Sequence, residues 1–116
     1  MKHIYCDGSG FGKYCYFCEE TQESKIQEVP KKGMTHNQIE YLAVISGINA
    51  FPKEDLVIYS DSQLVINQLN YEFKIRFDHL KKLAKQAWES TKDRKVVFEW
   101  IPRTKNKAGF LLEGKA

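Results

Sequence analysis

The sequence predicts an α/β fold: a five-stranded mixed sheet, three strands antiparallel and two parallel, flanked by helices in the order βββαβααβα. Three observations carry this. Leu56-Val57-Ile58-Tyr59 is an unbroken apolar, β-branched and aromatic run, the pattern of a strand covered on both faces. Leu80, Leu83, Ala84, Ala87 and Trp88 make an amphipathic helical stripe, with Lys81, Lys82 and Lys85 on the other faces. Ahead of both, three short strand-like segments are separated by polar turn residues, as in a meander.

Taken in order, residues 2–7 read as a strand ending at Asp7-Gly8-Ser9-Gly10, and residues 14–20 and 25–29 as the next two, parted by Thr21-Gln22-Glu23-Ser24. Residues 35–50 read as a helix: Ile39, Leu42, Ala43, Ser46 and Ala50 recur at helical spacing, and Val44, Ile45 and Ile48 imply burial on more than one side. Pro52 stops it. After the strand at 56–59, Ser60 or Asp61 is expected to cap a short helix ending near Leu69. The long amphipathic helix covers 76–89, a last strand 96–101, and Pro102 to Lys105 a loop. Asn106 then caps a terminal helix carrying Leu111, Leu112 and Glu113.

The chain has 116 residues, 42% apolar and 28% charged, which is enough for one domain, spanning 1–116, to bury its own core without staples. No apolar run reaches the ~18 residues a bilayer span needs, and Asp7 arrives too early for a signal-peptide core, so a cytoplasmic, monomeric protein is expected. Cys6, Cys15 and Cys18 are odd in number and read as reduced and buried. Cys15 and Cys18 are spaced as a C-x-x-C, but three residues apart on a strand they face opposite sides, so a shared zinc ion would require a turn that the sequence does not signal.

Net charge is only +3, yet it is unevenly spread. Residues 1–71 carry six basic against nine acidic side chains, and residues 72–107 eleven against five. An acidic half joined to a basic half suits an enzyme that holds cations and neutralises phosphates. Ordinary helices with basic solvent faces give the same pattern.

Three carboxylates stand out. Asp7 ends the first strand, Asp61 ends the apolar strand, and Glu40 lies early in the first helix. If those two strands are parallel neighbours, a right-handed crossover brings Asp7 and Asp61 to the same sheet edge, at the carboxyl ends where α/β sites form. Glu40 can project there from the crossing helix. Carboxylates beside Cys6, Ile39 and Tyr59 carry a desolvation cost that a divalent cation would offset. Singly, each is equally a turn residue, a helix cap or a solvated side chain.

Tyr5-Cys6-Asp7-Gly8-Ser9, then Thr35-His36-Asn37-Gln38-Ile39-Glu40-Tyr41-Leu42-Ala43, then Tyr59-Ser60-Asp61-Ser62-Gln63-Leu64-Val65 resemble, in order and spacing, the three leading motifs of type 1 ribonuclease H. The element order matches that ribonuclease H-like fold across nearly the whole chain. The resemblance implies an endonuclease that cleaves the RNA strand of an RNA–DNA hybrid with two Mg²⁺ or Mn²⁺ ions on Asp7, Glu40 and Asp61. It also implies groove contacts from Gly8, Ser9, Asn37, Ser62 and Gln63 and a DNA-phosphate contact from Thr35. His36 is a further groove candidate by its nearness to Glu40. Arg103, Lys105, Asn106 and Lys107 follow as nucleic-acid contacts near the last helix.

The chain departs from the family pattern in three places. In Asn106-Lys107-Ala108-Gly109-Phe110, Phe110 stands where the family carries a fourth carboxylate, and Glu113, one turn on, is the nearest replacement for it as a catalytic metal ligand. No histidine lies between Trp100 and Asn106, where many relatives place one. Asn70 to Phe77 is too short for a basic protrusion, leaving Lys74, Arg76, Lys81, Lys82 and Lys85 to meet phosphates. Two other functions stay open: a non-catalytic nucleic-acid-binding module, and a resolvase- or transposase-like nuclease acting on DNA.

Overall fold

A computed structural model describes residues 1–114; Lys115 and Ala116, part of the span expected as one domain, lie outside the described residues. Strands β1 (Lys2–Gly8), β2 (Lys13–Cys18) and β3 (Ser24–Glu28) form the meander. Helix α1 (His36–Ala50), strand β4 (Leu56–Ser60), helices α2 (Gln63–Leu69) and α3 (Asp78–Glu89), strand β5 (Val96–Trp100), a 3₁₀ turn (Arg103–Lys105) and helix α4 (Lys107–Leu112) follow. The sheet runs β3-β2-β1-β4-β5. β1 pairs antiparallel with β2 and parallel with β4, β2 antiparallel with β3, and β4 parallel with β5. The expected mixed sheet and element order are therefore present.

The register explains both the core and the site. Antiparallel and parallel partners share a sheet face, so Ile4, Cys6, Tyr16, Cys18 and Ile58 look one way and Tyr5, Asp7, Cys15, Phe17 and Tyr59 the other. α1 packs across the first face, and its Tyr41, Ala43, Val44 and Ile48 are fully enclosed between the sheet and α3. A helix buried on both sides carries no polar stripe, which is why α1 lacks the amphipathic pattern that α3 shows. α4 covers the second face at the ends of β1 and β2. The three cysteines are buried and free, with Cys15 on the opposite face from Cys6 and Cys18, as their spacing requires.

Caps fix the segments that lead into the site. Thr35 and Gln38 form a reciprocal capping box at the start of α1. Helix α2 is capped by Ser62, not by Ser60 or Asp61: the Ser62 hydroxyl accepts from the Val65 amide at 3.2 Å, while the Ser60 hydroxyl accepts from the Ser62 amide. That correction leaves Asp61 free of a capping duty. Asn106 caps α4 by accepting from the Ala108 amide at 3.2 Å, and its Nδ2 donates to the Cys6 carbonyl at 2.8 Å. One buried side chain thus ties the last helix to the strand that carries Asp7. α3 starts two residues later than expected, with no side-chain cap at Phe77. Among the described residues, no helix is long and apolar enough to cross a membrane.

Candidate functional site

Asp7 and Asp61 project at the carboxyl ends of β1 and β4, and Glu40 reaches them from the second turn of α1. One carboxylate oxygen of each lies within 4.8 Å of the others. This convergence follows from the topology: two parallel central strands end at the same edge, and the helix connecting the meander to β4 crosses them there.

Glu40 is held in place from below. It is 3% exposed, and the Gly8 amide donates to its Oε1 at 2.5 Å. Gly8 has no side chain for a reason of space. A Cβ there would lie 2.8 Å from Ile39 Cγ2, 2.9 Å from the Ile39 carbonyl carbon and 3.0 Å from the Glu40 amide nitrogen. Strand end and helix can touch only through glycine. Gly109 performs the same service on the other face, where a Cβ would come within 3.1 Å of Asp7 Oδ2.

Three acidic groups in one half-buried pocket repel ionisation. Burial, followed by the charge of Asp61, pushes the Asp7 carboxyl up to about 7. Burial, followed by the charges of Asp7 and Asp61, pushes Glu40 up to about 9. Burial also raises Asp61, while the Asn106 amide, Arg103 and His36 pull it back. The donor set consists of hard carboxylate oxygens whose ionisation burial opposes in all three. That is the chemistry a small divalent cation fits.

A stability consequence follows with a definite sign. Carboxyls whose folded pKa lies above the unfolded ~4 favour the native state fully below that value, and the benefit is lost as pH rises through about 7 for Asp7 and about 9 for Glu40. Glu20, lowered to about 2 with His3 hydrogen bonds pulling it down against burial, contributes fully above its unfolded value and stays constant across this window. Melting in a chelator should therefore fall between about pH 5 and pH 9 by on the order of 5 °C or more, and millimolar Mg²⁺ should recover most of it at the alkaline end. Thermal denaturation across the pH series, with and without Mg²⁺, checks this; a flat profile would contradict it.

The pocket, about 400 Å³, is lined by Asp7, Glu40, Asp61, His36, Arg103 and Glu113 among others. His36 Nε2 lies 3.1 Å from the Gly8 carbonyl, to which it donates when protonated there, and 3.9 Å from Glu40 Oε2. Arg103 Nη2 donates to Glu113 Oε1 at 3.2 Å, so Glu113 reaches the pocket rim in partnership with a guanidinium. It is not in the group of three that converge. Phe110, at the position of the family's fourth carboxylate, is 36% exposed.

The other expected contacts divide. Gly8 and Ser9 line the pocket. Ser62, Gln63 and Lys105 are at least partly exposed beside it in sequence, and Asn37 lines a neighbouring cleft with Leu64, Arg76 and Phe77. Thr35 has its hydroxyl engaged by the α1 cap. Asn106 does not reach the surface; it is fully buried and bonded to Cys6 and Ala108. The Lys107 ammonium is held at 2.6 Å by both Glu19 oxygens and sits 5.6 Å from the centre of the Tyr5 ring. Sequence reasoning missed these two anchoring roles because their partners lie about a hundred residues away. The missing Cβ of Gly109 is visible in the sequence as space for Glu113 to reach back; its close approach to Asp7 is not.

A five-stranded sheet of this order, with an acidic cluster where its central parallel strands end, defines the ribonuclease H fold. The family model for RNase H matches residues 1–109, and the chain belongs to that family. The bifunctional protein Rv2228c of Mycobacterium tuberculosis is 32% identical over 76 residues, covering 62% of this chain and 21% of that protein. An uncharacterized protein of Mycobacterium bovis, Mb2253c, matches to the same extent. The chain spans about a fifth of the length of these relatives.

Solved structures agree on the fold. RNase H1 from the halophilic archaeon Halobacterium salinarum superposes with a TM-score of 0.83 at 24% identity, covering 96% of this chain and 92% of the other. The N-terminal RNase H domain of Rv2228c gives 0.82 at 22%, covering 98% and 91%. LC11-RNase H1 in complex with RNA/DNA hybrid gives 0.80 at 20%, covering 92% and 89%.

Proposed function

We propose that this chain, acting as one domain, is an endonuclease that hydrolyses the RNA strand of RNA–DNA hybrids with Mg²⁺ or Mn²⁺. The observation that carries the reading is the convergence of Asp7, Glu40 and Asp61 within 4.8 Å in a family whose fold frames this pocket. Asp7, on β1 between the contributions of α1 and β4 and approached by Gly109 of α4, is the central ligand; Glu40 and Asp61 flank it, and Glu113 serves as the fourth acid from the rim. Asp7, Glu40 and Asp61 would hold the divalent cations, which when bound would supply Lewis acidity to phosphodiester hydrolysis.

The protein's own groups do the rest. The Gly8 amide aims Glu40 inward and keeps its carboxylate from turning to solvent. Arg103 presents a positive charge at the rim, where a phosphate must approach an otherwise acidic pocket. Ser9, Asn37, Gln63 and His36 offer hydroxyl, amide and imidazole groups to the minor groove, where a 2′-hydroxyl distinguishes RNA from DNA. Ser62 and Lys105 extend that surface to the flanking backbone.

Labelled hybrid, duplex RNA and duplex DNA incubated side by side with Mg²⁺ and with Mn²⁺ test the proposal. Cleavage confined to the RNA of the hybrid is expected. Intact hybrid under both metals at low salt would refute catalysis and leave the alternative of a binding module that Phe110 suggests; cleavage of DNA would favour the resolvase-like alternative. Within the leading reading, Glu113→Gln should lower turnover about 10- to 100-fold with little change in melting temperature. Unchanged kinetics would remove Glu113 from the machinery.

A further inference from the structure

β3 (Ser24–Glu28) ends the sheet, and its outer side has no neighbouring strand among the described residues. The ladder to β2 settles which of its backbone groups are open. The Cys18 amide donates to the Glu23 carbonyl at 2.8 Å and the Val29 amide to the Gly12 carbonyl at 2.8 Å, with Tyr16 opposite Lys25 and Tyr14 opposite Gln27 between them. Along an antiparallel strand, successive residues turn their backbone groups alternately toward and away from the neighbour. Lys25 and Gln27 therefore bond to β2, and Ser24, Ile26 and Glu28 direct their amides and carbonyls outward from the sheet.

Edges of this kind are commonly blunted by proline, a bulge or charge. β3 holds no proline, and its register with β2 is unbroken. Its charges, Lys25 and Glu28, are not ion-paired among the described residues. Those charges do not oppose a second copy of the same strand. With two β3 strands antiparallel about a two-fold axis at Ile26, Ile26 meets Ile26, Lys25 meets the second copy's Gln27, and Ser24 meets its Glu28. Ile26, 50% exposed, gains an apolar partner. Each ammonium meets a carboxamide and each carboxylate a hydroxyl, with no like charges opposed. An axis at Lys25 would oppose the two lysines, and an axis at Gln27 would set each Ile26 against Glu28. The pattern thus selects one register.

We infer that the chain self-associates through β3, two five-stranded sheets joining into one continuous sheet, in place of the monomer expected from the sequence. β1 and β3 run in the same direction, because each is antiparallel to β2. The two-fold axis therefore sets the two carboxylate pockets at opposite edges of the joined sheet, each complete within its own chain.

One strand from each copy makes a small interface, so association in the micromolar range is expected. Sedimentation velocity up to about 300 μM should show a passage from one chain mass to two, and amide exchange at Ser24, Ile26 and Glu28 should slow over the same range. Ile26→Lys should weaken association at least about tenfold. Gln27→Lys, which opposes lysines at two symmetric places, should weaken it at least about fivefold, and adding Lys25→Glu to Gln27→Lys should restore it by setting opposite charges face to face. Thermal melts confirm that the variants fold, and the restoration cannot come from a folding defect. A single chain mass throughout the series, or a dimer indifferent to these substitutions, would overturn the inference.

Discussion

Replacing Asp7 by Asn is expected to reduce metal-dependent cleavage of hybrid by on the order of 10³-fold or more, and to raise the melting temperature in chelator at about pH 8. The two halves have one cause. Asp7 is the carboxylate coupled to both of the others: its charge raises Glu40, that of Asp61 raises it after burial has done so, and α4 approaches it through Gly109. Cation-held charge stabilisation is worth several kcal/mol, and each ~1.4 kcal/mol is tenfold in rate. The same substitution removes a carboxyl that ionises reluctantly in the folded state, so the metal-free protein gains stability wherever unfolded Asp would be charged. Cleavage assays and melts on the same preparation check both. Loss of activity with a lowered melting temperature would show that Asp7 is a structural residue and that inactivity came from misfolding.

The second large effect belongs to Gly8. In Gly8→Ala the new methyl would fall 2.9 Å from the Ile39 carbonyl carbon and 3.0 Å from the Glu40 amide nitrogen, both backbone atoms of a helix enclosed on two sides. A flexible side chain could turn aside; a packed helix cannot. Overpacking of this kind costs about 1–3 kcal/mol or more, a fall of on the order of 10 °C in melting temperature for a domain this size. Strand end and helix must part for the methyl to fit, which lengthens the Gly8 amide's bond to Glu40 and moves that carboxylate from Asp7. Stabilisation by Mg²⁺ should therefore shrink together with activity. Calorimetry of the variant with and without Mg²⁺ measures both, and a variant as stable and as metal-responsive as the parent would contradict the packing described for this junction.

Much of the site was legible because its chemistry lies at element ends. Asp7 and Asp61 each follow a strand-forming run, and a right-handed crossover between parallel neighbours puts such ends together whatever the details of packing. Glu40 was legible because it interrupts an apolar helix. The acids could thus be found from local pattern plus one topological rule. What escaped were couplings between distant segments of chain. Nothing local to Asn106 announces that its amide reaches the Cys6 carbonyl, or local to Lys107 that Glu19 holds it. Asn106 reads locally as a helix cap and Lys107 as the polar residue after it, and the family resemblance places both at the nucleic-acid surface. The cap of α2 was misplaced by one or two positions because Ser60, Asp61 and Ser62 are all competent caps, and only the strand's last hydrogen bonds decide among them.

The central claim is that three side chains far apart in sequence form one dication site. Mn²⁺ titration followed by electron paramagnetic resonance of the free ion reads this directly, without substrate and without turnover. The account predicts saturable binding by the unmodified protein, strongly weakened in Asp7→Asn and also weakened in Glu40→Gln and Asp61→Asn. Equal binding by the parent and all three variants would place the ion elsewhere and leave the carboxylates without the role assigned to them.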